Sequence, residues 1–486
     1  MRTKNSSTEP AADTTVINRL EGNMGVGSLM MSVLAFSSPL ATVAGTMPVL
    51  LMFGGNTAPS IYLILTLMLL IFSVGFVTMS RTIENPGGFY SFVTAGLGKA
   101  SGLGGAFLAL VGYIFIGFFA PVFFAVTMQN FVVETLGGPD IAWYWYALVI
   151  VGITTALAYN RIDLSAKVLT TVMVLEVIII VVFDVAAFAS NGGNPEAGLS
   201  ISLPSLGDAT LGLALLFAIG NFFGFEATVI YREEVRDPDK TIPRATYLSV
   251  LGIGIFYAIA ATGYVAFFGT GEIQAAATEN TAGLFHGSIV ALLGNIAADI
   301  MTILLITSTL ACMLSIQNIA ARYGFSLARD RALPKALGHV HPRHHSPYLA
   351  ALAIGAVWVV AIIVLAVVGA DPEQIYVVAS GSGTFSVLLL MFITSLAVLI
   401  YFLRRRSSNP ESVWKTIIAP GVSMLFLGVI MVIAVLNFPE LVGGSGVLSA
   451  VFMLLTFVLF IGGFIYALVL RKRLPDVYDR LGRQRF

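Results

Sequence analysis

Apolar runs of about 20 residues, the length an α-helix needs to cross a bilayer, recur along the chain between short polar stretches. Twelve are predicted: Leu29–Phe53, Ser60–Met79, Leu103–Val133, Trp143–Tyr159, Ser165–Ala189, Thr210–Tyr231, Thr246–Phe268, Ile289–Ala320, Tyr348–Gly369, Ile375–Leu403, Val413–Leu436 and Val447–Leu470. The third and eighth are long enough to tilt or to extend past the bilayer. The first run is far longer than the ~7–15-residue core of a signal peptide, so it reads as a span and not as a cleaved leader. The fold class is therefore an all-α polytopic membrane protein with twelve transmembrane helices.

Composition and charge sharpen this. Of 486 residues, 57% are hydrophobic and 11% charged, against about 25% charged in a soluble domain. The formal net charge is zero, and nothing points to a nucleic-acid partner. With twelve spans and the N-terminus inside, the outer loops are 54–59, 134–142, 190–209, 269–288, 370–374 and 437–446, and none holds a Lys or Arg. The 26 basic residues gather in the termini, the inner loops and the inner helix ends, among them Arg232, Arg236, Arg322, Arg329, Arg331 and Arg404 to Arg406. The positive-inside rule predicts this asymmetry. It places the protein in the cytoplasmic (inner) membrane with both termini cytoplasmic, and one span more or fewer would scramble it.

No basic side chain is left near the bilayer centre. The embedded ionisable groups are acids, Glu176, Asp184, Glu226 and Asp299, and intramembrane acids are functional candidates. Glu176 lies about 11 residues inside its span, roughly 16 Å deep at 1.5 Å per residue. That is near the midplane of a core about 30 Å thick. Three readings stay open for Glu176: a proton carrier, a counter-charge for a cationic substrate, or a protonated carboxyl joining two helices. Glu226, near the inner end of span six, reads as a coupling acid, a gate or a structural acid. Asp184 and Asp299, nearer the outer face, read as hydrated or helix-pairing groups.

Two spans carry helix breakers. The first contains Ser37-Ser38-Pro39, then Ala41 to Gly45, then Pro48, and the sixth contains Ala218 to Gly224. Gly and Pro weaken the helical ladder. Spans one and six enter the membrane from opposite sides, and broken helices at matching places in two inverted halves point to a midplane transport site. The chain then divides into a tail 1–23, a five-helix repeat 24–189, an inverted repeat 208–403, helices eleven and twelve at 411–470, and a tail 471–486.

The inner loops are more specific. They contain Pro86-Gly87-Gly88-Phe89-Tyr90-Ser91-Phe92, then Glu233-Glu234-Val235-Arg236-Asp237-Pro238 with Thr241-Ile242-Pro243-Arg244-Ala245, then Ala321-Arg322-Tyr323 with Leu327-Ala328-Arg329-Asp330-Arg331-Ala332-Leu333-Pro334. Residues 21–406 resemble the amino acid–polyamine–organocation transporter family, in the manner of an amino acid permease. The resemblance implies a five-plus-five inverted repeat, alternating access, and a substrate held between spans one and six. The substrate carboxylate would meet backbone amides of span one, and its ammonium would meet carbonyls of spans one and six. It carries the substrate site onto Ser37, Ser38, Ala41, Thr42, Val43, Ala44 and Gly45, and onto Ala218, Gly220, Asn221, Phe222 and Gly224. The family's Gly-Ser-Gly falls on Ala41-Thr42-Val43, and Val43 is stiffer than glycine. The break is thus expected to shift toward Ser38-Pro39 or Ala44-Gly45, or the carboxylate contact to be altered. Aligned from Asn160-Arg161 through Lys167, Glu176 stands where many members have a lysine. The implied activity is secondary active transport of an amino acid coupled to a proton. The alternative is a polyamine or amine carrier, or a substrate exchanger, of the same fold.

Other features change this little. Ser308 and Thr309, with Thr307, form a candidate cation site for sodium, but membrane hydroxyls commonly bond their own helix backbone, which is the preferred reading. His339, His341, His344 and His345 share a basic inner loop with no cysteine or acid to complete a metal site. Tyr90 and Phe92 read as interfacial anchors, and Cys312 as a small buried residue. Neither a phosphate-cradling loop nor a catalytic set is present. The expected partners are a small amine-bearing substrate, a coupling proton or sodium ion, and lipid, with no cofactor and no enzymatic role.

Overall fold

The computed structural model describes residues 22–83, 87–160, 166–190, 202–205, 210–406, 411–444 and 446–482. The tail 1–21, Pro86, Arg161 and most of the predicted loop 190–209 lie outside the described residues. Among those described, no strand forms, and the extended pairing present is a bridge between Met24 and Val235.

The helices are α1 (Val26–Ser37), α2 (Met47–Gly54), α3 (Ala58–Thr82), α4 (Phe89–Leu97), α5 (Lys99–Asn130), α6 (Trp143–Tyr159), α7 (Ala166–Ser190) and α8 (Leu211–Gly220). They continue with α9 (Pro238–Phe268), α10 (Leu284–Leu293), α11 (Asn295–Arg329), α12 (Tyr348–Val367), α13 (Pro372–Arg404), α14 (Ala419–Leu436), α15 (Gly446–Arg473) and α16 (Pro475–Arg480). Among the described residues, ten helical stretches are long and apolar enough to cross a membrane, and α6 is a shorter apolar helix. The chain is a multi-pass membrane protein. The first of the ten stretches runs from Val26 to Thr82 and holds both of the first two predicted spans.

Lipid contact is visible in the side-chain pattern. On α7, Met173, Glu176, Ile180, Phe183, Asp184 and Ala187 are buried, while Val174, Leu175, Ile178, Val181, Val182 and Val185 are exposed. Both faces are dominated by apolar residues, which suits a helix between a protein core and hydrocarbon. In an apolar 18-residue stretch of Leu211–Tyr231, 78% of residues are buried inside the protein, against 22% for Ser449–Arg473. The broken sixth span is thus central and α15 peripheral.

Small residues let the central helices meet. A Cβ on Gly383 of α13 would stand 2.7 Å from Ile116 of α5, and one on Gly112 of α5 would stand 2.8 Å from Ser386 of α13. At Gly96 of α4 it would meet the Ala397 carbonyl of α13 at 2.1 Å. Without a hydrophobic drive between helices in lipid, such close backbone approach supplies the packing energy.

Three expectations change. The eighth span does not run unbroken over Ile289–Ala320: Gly294, at φ 84°, separates α10 from α11, and α11 continues to Arg329. The motif from Ala321 to Arg329 is therefore helical and not a loop, and its Arg322 is buried. The predicted loop 269–288 holds a short helix, Ile273–Glu279, and the start of α10. Tyr90 and Phe92 are each 1% exposed and pack in the interior instead of anchoring at an interface. Tyr90 is held there by its hydroxyl, which donates to Asp330 at 2.7 Å.

Candidate functional site

The first break begins at Ser38. A proline disfavours helical ψ in the residue before it, and Ser38 adopts φ 45° and ψ 75°, ending α1. Pro39–Ala41 make one helical turn, Thr42–Thr46 wind as a π-helix, and α2 follows. The break has thus moved to Ser38-Pro39, and Ala41-Thr42-Val43 stays wound. Side chains satisfy the carbonyls it frees. Thr42 Oγ1 donates to the Ser37 carbonyl at 2.8 Å, and Tyr264 Oη donates to the Val43 carbonyl at 2.8 Å.

The second break follows α8. Asn221 to Gly224 turn, Gly224 sits at φ 112°, where a side chain would be strained, and Phe225–Tyr231 form a 3-10 helix. Glu226 closes this break. Its Oε2 accepts from the Gly224 amide and its Oε1 from Tyr113 Oη, each at 2.8 Å. Asn221 ties the breaks together: its Oδ1 accepts from Thr46 Oγ1 at 2.7 Å, and its Nδ2 donates to Tyr62 Oη at 2.7 Å.

A cavity of about 590 Å³ lies against both breaks. Its wall contains Ser37, Ser38, Ala41, Thr42, Ala44, Gly45, Gly220 and Asn221. Val43, Ala218 and Phe222 are fully buried outside that wall, and Gly224 is packed behind Phe36. The wall also contains Phe119 and Phe123 of α5, Phe217, Cys312 and Thr384. Nothing in the sequence marks these, because an aromatic in an apolar span reads as packing.

The cavity is asymmetric along the helix axes. It extends to Glu134, His286, Glu373 and Glu440, all in segments free of Lys and Arg. Toward the basic end it stops at aromatic side chains. Tyr113 meets Phe36 edge-on at 6.2 Å and stacks on Tyr323 at 5.4 Å. Beyond them, Arg322 grips Glu234 with two bonds of 2.7 and 2.8 Å, and Arg329 pairs with Glu233 at 3.1 Å. Arg322 also lies 4.3 Å over the Tyr231 ring. The segment before α1 is pinned to the same loop, with Met24 exchanging backbone bonds with Glu234 and Arg236 at 3.0 Å each. Two arginines and two glutamates of the quoted motifs thus bind one another.

Glu176 is 1% exposed. Its Oε2 accepts from Ser308 Oγ at 2.6 Å, and Ser308 Oγ lies 2.7 Å from Ser38 Oγ. Ser308 has a single proton, so with that proton on Glu176, Ser38 is the donor of the second bond. The other carboxylate oxygen has no hydrogen-bond partner among the described residues. A change of charge on Glu176 would therefore be felt at the residue where helix one breaks. The three consecutive hydroxyls at 307–309 of α11 divide: Thr307 and Thr309 donate to their own backbone, at Leu304 and Leu305, each at 2.8 Å, while Ser308 donates to Glu176. In the histidine loop, His341 Nδ1 accepts the amides of Arg343 and His344 at 3.2 Å, capping its own turn.

The chain is similar in sequence to known transporters. The family model described as amino acid permease matches residues 27–478. An uncharacterized transporter of Mycobacterium tuberculosis is 31% identical over 214 residues, which cover 43% of this chain and 46% of that protein. The branched-chain amino acid permease BcaP of Bacillus subtilis is 29% identical over 212 residues, 43% of each chain. The low-affinity putrescine importer PlaP of Escherichia coli is 23% identical over 344 residues, 69% of this chain and 73% of that one. The matched stretch spans less than half the length of the mycobacterial and Bacillus relatives.

Proposed function

The chain belongs to the amino acid permease family, and from that premise we propose that it is a secondary active transporter that carries an amino acid across the cytoplasmic membrane by alternating access, coupled to a proton. We read it with twelve spans, cytoplasmic termini, repeats at 24–189 and 208–403, and helices eleven and twelve at 411–470 outside them. The observation that carries this reading is the cavity against the two breaks. It reaches the segments free of basic residues and stops at aromatic rings and ion pairs on the other side. This is the shape of a carrier open to one face.

The substrate would sit against Ser37, Ser38, Ala41, Thr42, Ala44, Gly45, Gly220 and Asn221. No Lys or Arg is in the wall, which disfavours a dicarboxylate, since a second carboxylate would lack a fixed partner. Glu176 is the coupling acid, reading the break through Ser308 and Ser38. Glu226 acts as a gate, since it holds Tyr113 beneath the cavity and caps the second break. Ser308 serves Glu176 in this reading, and Thr309 has no part in coupling.

A second reading, an amine or polyamine carrier, is favoured by the similarity to a putrescine importer and by Glu134, Glu373 and Glu440 in the wall. Purified protein in liposomes separates the two. Labelled amino acids and polyamines are offered with and without an inward proton gradient, to the wild type and to Glu176→Gln. Accumulation of an amino acid by the wild type, with exchange but no accumulation by the variant, is expected. Movement of polyamines alone would establish the second reading, and unchanged proton-driven accumulation in Glu176→Gln would remove that residue from coupling.

A further inference from the structure

Helix α7 carries a second buried acid that transport as described leaves unused. Asp184 follows Glu176 by two helical turns, about 12 Å along the axis, on the same buried face. The residue is 4% exposed, and neither carboxyl oxygen has a hydrogen-bond partner among the described residues. Of the two roles expected for it, bonding to a neighbouring helix is not what it does among the described residues. The space it occupies is opened by a missing side chain: a Cβ on Gly263 of α9 would stand 2.1 Å from its Oδ1.

Among the described residues, the neighbouring elements bring no Lys or Arg to this place. The ionisable groups near that end are Tyr264 on α9, the exposed His286 on α10 and the half-buried Asp299 on α11. On α7 itself the others are Glu176 and, in the first turn at the opposite end of the helix, Lys167. The segment from Val26 to Thr46 has none. A carboxylate here would be a buried charge with neither a counter-ion nor a donor, whereas a neutral carboxyl removes the charge and leaves only dipoles to satisfy. Tyr264 lies within electrostatic reach of Asp184, and its hydroxyl holds the Val43 carbonyl. The two acids of α7 thus bracket the irregular part of helix one, Glu176 at Ser38 and Asp184 at Val43 by way of Tyr264.

We propose that Asp184 is a second proton-binding site, occupied while α7 and α9 are packed at Gly263 and emptied when they part and water reaches the carboxyl. The site is independent of the coupling role given to Glu176. Infrared spectra of the protein in liposomes, followed across pH, test it together with the pH profile of substrate counterflow. A protonated-carboxyl band that titrates, is missing from Asp184→Asn and persists in Glu176→Gln is expected. The counterflow profile of Asp184→Asn should flatten at least threefold. Identical bands in wild type and Asp184→Asn overturn the proposal, and so does a band that never titrates. Should Asp184→Asn fail to fold, the Glu176→Gln/Glu226→Gln double variant decides: a surviving buried-carboxyl band that titrates supports the site, and its absence removes it. Failure of Glu176 coupling with the Asp184 band intact leaves this inference standing, and the converse leaves only the coupling role.

Discussion

The two ends of the molecule, on either side of the helix breaks, are built from different chemistry. At the basic end, Arg322 and Arg329 on α11 close on Glu234 and Glu233, and Tyr113, Tyr323 and Phe36 fill the space below the cavity. At the other end, Glu134, His286, Glu373 and Glu440 border an open cavity, and no ion pair among the described residues joins them. The difference teaches where the conformational energy resides. Closure at the basic end is geometrically specific, because the pairs are buried and matched and the loss of one partner would leave a buried charge uncompensated. Closure at the other end would rest on apolar and aromatic contact, which is easier to form and release.

The largest effect is expected from breaking the basic end. Removing one partner of a buried pair costs about 3–5 kcal/mol, so Arg322→Gln or Glu234→Gln should shift the protein away from the conformation described. Cys312, the sole cysteine, is a buried member of the cavity wall whose thiol donates to the Phe36 carbonyl, so its labelling reports how far the cavity opens there. Labelling by an impermeant thiol reagent from the outer side should fall at least tenfold, and labelling from the inner side should rise. The swap Arg322→Glu with Glu234→Arg should restore part of the outer labelling. Unchanged labelling in all three would show that the pairs do not hold the gate.

Glu176→Gln should come next, with at least a tenfold lower accumulation ratio under a proton gradient while exchange persists. Ser308→Ala should lower that ratio as well, and Thr309→Val should not, because Thr309 bonds only its own helix. Equal effects of these two substitutions would contradict the separate role given to Ser308.

In the cavity, Gly220 faces Thr384, with a Cβ placed 3.3 Å from Oγ1. Gly220→Val should raise KM about tenfold, roughly 1.4 kcal/mol, with stability and Cys312 labelling little changed. The smallest effect belongs to Tyr264→Phe. It removes one hydrogen bond to the Val43 carbonyl, worth about 0.5–1.5 kcal/mol, and should change labelling of Cys312 only a fewfold.

Much of the frame was legible in the residues because lipid imposes one-dimensional rules. A span must be apolar and about 20 residues long, and α6 begins and ends where the pattern predicted it, at Trp143 and Tyr159. The break at Ser38 was legible as one of three open outcomes, since Pro39 constrains the residue before it whatever the surroundings. Gly224 likewise marks its own turn.

The pairings were not legible. Ser38, Glu176 and Ser308 stand far apart in the chain, and only packing of α1, α7 and α11 brings their oxygens within hydrogen-bond distance. The hydroxyl periodicity around residue 308 cannot say which of three neighbours turns toward α7, since a step of about 100° per residue separates them and only the helix rotation selects one. The same holds for Arg322. As sequence it is one more basic residue after a span, but the continuation of α11 past the predicted end carries it beneath Glu234. Apolar length, charge bias and proline sterics act along the chain and were determined by sequence alone. Which buried acid meets which donor, and which acid meets none, was decided by the approach of helices at small residues such as Gly263, and that approach exists only in the folded protein.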